Sequence, residues 1–407
     1  MVRINIARIR KSLIIIIVVP AVSIICFFSC CYITVQAEEE TAFDQEIIID
    51  EQVESGEIKS IESQLERYAS KEIEEIFEGY DPENIIKDAA KGRFELNIKG
   101  LLGRTLYFLF KEVYLNINVL LRLLVLVVLC AVLKNLQASF LSESVGELAF
   151  FVCYIVIVSI LFVSFTSAVK LGTSVIENMV DFMYATVPVL ITLLVAGGNF
   201  TSGGVFQPIL VTMVEITAII FKNVLLPVIF MSAVLSIIDN ISDKIQLSKL
   251  ANLLRQSSMW AMGFILTIFI AVVSVQGSLG AVADGVAGKT AKFAIGFLPV
   301  VGGYLSDAAD TVIGCTLLIK NAAGLATMIG VIAICIVPLL KILALIALYK
   351  ITCVLVEPIS DKKVTKCIND VANSMTFILG IVVSVTFMFL ISITAIISAS
   401  NTSTMIR

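Results

Sequence analysis

The chain has 407 residues, 58% of them hydrophobic and only 15% charged, with a mean hydropathy of +0.99. Water-soluble domains sit near ~45–50% apolar and ~25% charged, so this composition excludes an ordinary soluble protein and describes an all-α, polytopic membrane protein. Histidine is absent, which excludes Ser-His-Asp and Cys-His nucleophiles, imidazole proton relays and His-ligated metals; neither enzymatic chemistry nor a cofactor is expected.

The formal net charge of -4 is unevenly spread. Residues 1–37 carry Arg3, Arg8, Arg10 and Lys11 and no acid, whereas residues 38–100 hold 19 Asp/Glu against 7 Lys/Arg. The remainder is mildly basic, with 18 Lys/Arg against 14 Asp/Glu. An acidic soluble stretch repels phosphate, so nucleic acid is not an expected partner. Outside the leader, Cys130, Cys153, Cys315, Cys335, Cys353 and Cys367 are widely spaced and read as packing residues rather than as a disulfide or zinc framework.

Residues 1–37 have the layout of a secretory signal: a basic start, an apolar core over 13–35 and a small residue, Ala37, closing Val35-Gln36-Ala37. The core is long, so an uncleaved signal-anchor is the alternative, and a lipobox around Cys30 is a weaker one. Each of them places the next segment, 38–116, outside the cytoplasm. Within it, Ile58, Ile61, Leu65, Tyr68, Ile73 and Ile76 follow a loose helical period through about Phe77. Gly79-Tyr80-Asp81-Pro82 breaks that helix, and Asp81 before Pro82 fits an N-cap with proline at the first position of a second helix reaching Lys91. This charged run reads as a solvated helical face, or else as an arm for another exported protein. Residues 93–116 mix apolar and charged groups and fit an amphipathic helix on the membrane surface.

The membrane domain spans 117–400. Apolar runs at 118–136, 147–169, 179–197, 258–278, 323–349 and 374–398 are each long enough to cross. The unbroken run from Gly204 to Ile238 is roughly 50 Å long as a helix, so it is read as a hairpin of 205–221 and 223–239 turning at Lys222-Asn223. Eight crossings then put the basic stretches 239–257 and 350–373 in the cytoplasm, as the bias of positive charge to that side requires. Residues 279–322 fit no simple crossing. Glycines and Pro299 interrupt them, and Asp284, Lys289, Lys292, Asp307 and Asp310 are interspersed. A broken or re-entrant helix pair is expected there, of the kind that lines a conduit or subunit interface. Glu215, inside the first arm of the hairpin, joins these five as a candidate, with a structural pairing to Lys222 or Lys341 as its plainer role.

Two chemical readings fail. Ala283 to Thr290 imitates a phosphate-binding loop, but a real one needs a preceding strand within an α/β domain. Aspartyl intramembrane proteolysis needs two acids opposed on separate helices, and Asp307 and Asp310 are neighbours three residues apart.

The run Asp284 to Val312, with Asp284-Gly285, Lys289-Thr290-Ala291-Lys292-Phe293, Pro299-Val300-Val301-Gly302 and Ser306-Asp307-Ala308-Ala309-Asp310-Thr311, resembles the signature stretch of the stage III sporulation protein AE family. The resemblance extends over most of the chain. It implies a multi-pass subunit in the mother-cell membrane around the forespore, within a secretion-like channel complex. Partners would be other subunits of that complex, including a forespore membrane protein and an ATPase subunit, besides the lipid bilayer. It supplies no catalytic residue. A self-contained transporter with Glu215, Asp307 and Asp310 coupling ion flux is the alternative, although no inverted repeat is evident.

Overall fold

The computed structural model describes residues 55–68, 70–77, 79–94, 97–139, 143–241, 247–296 and 302–406, so the expected signal at 1–37 lies outside the described residues. Every regular element among the described residues is helical.

Three short helices open the described chain. In α1, Gly56–Tyr68, the apolar residues Ile58, Ile61 and Leu65 are buried, as their spacing predicts. The expected single helix through Phe77 is two. Ser70 takes an extended backbone, and its hydroxyl accepts the Ile73 N–H at 3.3 Å, starting α2, Lys71–Ile76, afresh. Before α3, Pro82–Ala90, the chain turns at Gly79 with φ of 69°, and the Asp81 carboxylate accepts the Glu83 N–H at 3.1 Å. That is the cap the sequence predicts. In α4, Ile98–Leu115, Phe108 is buried while Leu102, Leu106, Tyr107, Phe110 and Tyr114 are exposed. This one-sided apolar face suits a helix lying at a membrane surface.

The membrane body consists of α5, Ile117–Ser139; α6, Glu143–Ala196; α7, Phe200–Ile220; α8, Leu226–Ile241; α9, Ser248–Gly296; α10, Gly302–Val356; and α11, Lys362–Ile406. Among the described residues six helices are long and apolar enough to cross a membrane, at 117–135, 148–196, 200–240, 248–276, 311–356 and 362–398. Eight crossings were expected from the sequence, and both expected breaks are absent. Runs 147–169 and 179–197 are one helix, α6, even though Lys170 and Glu177 lie between them. The hairpin is also absent, because α7 and α8 are joined by a π-helical stretch, Phe221–Leu225. A proline ring clashes with the carbonyl four residues back in a regular α-helix. The wider turn directly before Pro227 accommodates it, and the helix carries on. Lys222 then pairs with Glu177 of α6 at 2.5 Å, so each charge is neutralised from a helical position and neither forces a loop.

Six candidate spans in place of eight leave the parity unchanged. The chain ends joining α8 to α9 and α10 to α11 therefore still share one side with the end of α5. An ion pair of Lys134 with Asp361, and another of Lys366 with Asp239 at 3.0 Å, tie that end together. At 54 residues α6 is about 80 Å long, against a hydrocarbon layer of about 30 Å. Apart from Tyr184, its exposed large apolar side chains run from Leu148 to Val163, and those of α5 from Ile117 to Val132. Beyond Val163, α6 is clothed mainly by its neighbours, with Phe165, Ile176, Met179, Phe182 and Leu190 buried.

The short helices are fastened to the body rather than free. Tyr68 meets Phe182 edge-on with ring centroids 5.8 Å apart. Leu65 sits so close to Gly330 of α10 that a Cβ there would lie 2.4 Å from it. Glu72 pairs with Lys341 at 2.8 Å, and Lys111 of α4 with Glu75 at 2.7 Å. The acidic segment thus solvates one face and packs the other.

Candidate functional site

The stretch expected to be a re-entrant pair belongs to the long helices. Residues 279–296 continue α9, and 302–322 begin α10. Residues 297–301, with Pro299, where the break was expected, lie outside the described residues. Lys289 and Lys292 lie on α9 and Asp307 and Asp310 on α10, with side chains outside the described residues.

Asp284 is fully placed. It is 1% exposed, and its carboxylate accepts the backbone N–H groups of Thr201 at 2.7 Å and Ser202 at 2.9 Å. These are the second and third residues of α7, whose first N–H groups have no partner within the helix. Asn199, at the cap position, makes no side-chain cap bond. Asp284 performs that task from another helix, and its negative charge also meets the positive end of the α7 dipole. The turn it secures, Gly197-Gly198, needs the left-handed backbone of Gly198, φ 81°. Asp284 is therefore engaged as a helix cap in this arrangement.

Glu215 is not paired with Lys222 or Lys341, as the plainer reading had it. Lys222 is held by Glu177 and Lys341 by Glu72, while Glu215 is exposed and hydrogen-bonded to the Tyr184 hydroxyl. The six expected residues do not converge among the described side chains: Asp284 serves one end of α7, and Glu215 faces outward four turns along it. Among the described residues no group of three metal-ligating side chains is brought together.

Two polar features were not anticipated. Lys320, on α10, is fully buried, and its ammonium donates to the Ile397 carbonyl of α11 at 2.9 Å. At the opposite end of the bundle, α8, α9, α10 and α11 converge on a network. Asp239 accepts the N–H groups of Leu247 at 2.7 Å and Ser248 at 2.9 Å, besides the Ser248 hydroxyl and Lys366. Asn240 donates to Asp370 at 3.2 Å. Arg255 donates to the Ser374 hydroxyl at 3.1 Å, and Lys350 to the Asn369 and Asn373 carbonyl oxygens, both at 2.7 Å. Sequence reasoning had used Arg255 and Lys350 only as orienting charges. The signal that marks them is their depth, about two turns inside helix ends where a merely orienting charge would sit at the rim.

With that geometry in place, comparison with known sequences is decisive. Residues 80–400 match the family described as Stage III sporulation protein AE. The chain belongs to that family. It is 35% identical over 301 residues to the stage III sporulation protein AE of Bacillus subtilis (strain 168), covering 74% of this chain and 75% of that protein. No solved structure matches this chain. The stage III sporulation protein AE match starts at Tyr80 and ends at residue 400, so it takes in α3, the surface helix and the membrane body up to the last residues of α11, while α1 and α2 precede it.

Proposed function

We propose that this protein is a non-enzymatic, multi-pass subunit of a secretion-like channel complex in the mother-cell membrane around the forespore, with a permease-like or scaffold role. Membership of the stage III sporulation protein AE family carries the reading, and the six-helix body supplies the physical means to span a bilayer. The basic ends of the bundle face the cytoplasm, and α1–α3 face the space between the two membranes. There the exposed acids Glu57, Glu66, Glu74, Asp81, Glu83 and Asp88 give partners, including a forespore membrane protein, a negatively charged face.

Deleting the gene in a spore-forming host tests the role: development is expected to stall after engulfment, and a normal spore yield contradicts it. Affinity purification from sporulating cells tests the assembly. An ATPase subunit should accompany the protein, whereas recovery of the protein alone after mild solubilisation argues for a self-contained unit.

A further inference from the structure

The polar network at the basic end of the bundle is unbalanced. Asp239 is saturated by two N–H groups, a hydroxyl and Lys366. Deeper in, Arg255 and Lys350 face a single carboxylate, Asp370, which is bonded to Asn240 and forms no ion pair among the described residues. Both cations rest on neutral groups instead. Arg255 has the Ser374 hydroxyl and the face of Phe377, 5.5 Å from guanidinium carbon to ring centroid, and its Nε is buried without a partner. Lys350 has two side-chain carbonyl oxygens, those of Asn369 and Asn373. With their oxygens turned to Lys350, these two amides leave their NH2 groups as further donors.

A cluster rich in donors, with two cations to one carboxylate, is costly to sequester unless an anion completes it. The place narrows the choice of anion. Arg255 is seven residues into α9 and Lys350 six residues before the end of α10, so both lie roughly 10 Å below the helix ends, at the depth where headgroups meet acyl chains. Leu253, Ile351, Val354 and Leu355 nearby are exposed apolar side chains, suited to lipid tails. Lys366 and Glu357 stand exposed at the rim.

We propose that Arg255 and Lys350, with the amides of Asn369 and Asn373, bind the phosphodiester of an anionic membrane lipid between the ends of α9, α10 and α11. The planar guanidinium suits two phosphate oxygens, and Nε is one of the donors that fork presents. Basic pockets between membrane helices recognise headgroups in this manner.

The test uses the full chain in uncharged detergent, delipidated, with native mass spectrometry and thermal unfolding as readouts. Phosphatidylglycerol is expected to bind and raise the unfolding temperature, at least about tenfold more tightly than phosphatidylcholine, whose phosphodiester is the same but whose choline brings a cation against Arg255 and Lys350. Arg255→Gln and Lys350→Gln should each remove most of that preference, while Lys249→Gln, an exposed lysine at the same end, should leave it intact. If the glutamine variants do not fold, Arg255→Lys, which keeps the charge but loses the fork, is read in their place and should weaken binding. Equal binding of the two lipids, or an unchanged preference in the Arg255 and Lys350 variants, overturns the proposal. Full stabilisation by inorganic phosphate alone overturns the lipid as the source of the anion.

Discussion

Replacing Asp284 by alanine would strip the α7 cap and leave the buried N–H of Ser202 and the part-buried N–H of Thr201 without an acceptor. A buried donor left unmade costs about 1–3 kcal/mol, so losing the Ser202 bond, with a smaller share from Thr201, destabilises this end by about 2 kcal/mol. Asparagine keeps one acceptor oxygen and loses the charge that favours a helix N-terminus, and its cost is about 1 kcal/mol. The order wild type, Asp284→Asn, Asp284→Ala should therefore appear in thermal unfolding in detergent, followed by circular dichroism. Limited proteolysis should show the 197–204 segment becoming cleavable in the same order. An alanine variant that unfolds at the wild-type temperature with that segment still protected refutes the cap. An asparagine variant of wild-type stability that cannot support sporulation would assign the carboxylate a charge-dependent task instead.

Further outcomes follow from the docking of the short helices. Gly330→Ala puts a carbon 2.4 Å from Leu65 and 2.8 Å from Phe182, an overpacking that costs about 1–3 kcal/mol; hydrogen exchange over 56–68 should accelerate, and Leu65→Ala should restore protection in the double variant. The Glu72–Lys341 pair is partly exposed, so a double-mutant cycle should return no more than about 1 kcal/mol, diminishing with salt. A larger, salt-insensitive coupling would mean that the pair is shielded from water.

Much of the architecture could be read from the chain. The Asp81-Pro82 start of α3, the burial of Ile58, Ile61 and Leu65 and the one-sided surface of α4 are local, and local patterns declare themselves. The signature from Asp284 to Val312 led to the family because polar residues strung through an apolar body are unusual. What misled was the assumption that charge or proline within an apolar run ends a helix. Lys222 and Glu177 satisfy each other from separate helices, and a π turn absorbs Pro227; both facts depend on residues far apart in sequence. The same limit hid the cap, since Asp284 serves residues 82 and 83 positions earlier. It hid the Arg255–Lys350 pair too, which only the convergence of three helices brings together.

The central structural claim is that six long helices, not eight short ones, build the body, and the side on which Phe200 emerges decides it. Six crossings put the α6–α7 turn on the side opposite the α8–α9 connection, whereas eight put both on the same side. In a cysteine-free background, Phe200→Cys and a cysteine at position 244 should react with a membrane-impermeant maleimide from opposite faces, with Phe200→Cys labelled from the outside of intact cells. Labelling of both positions from the cytoplasmic face would contradict the six-helix body and the orientation built on it.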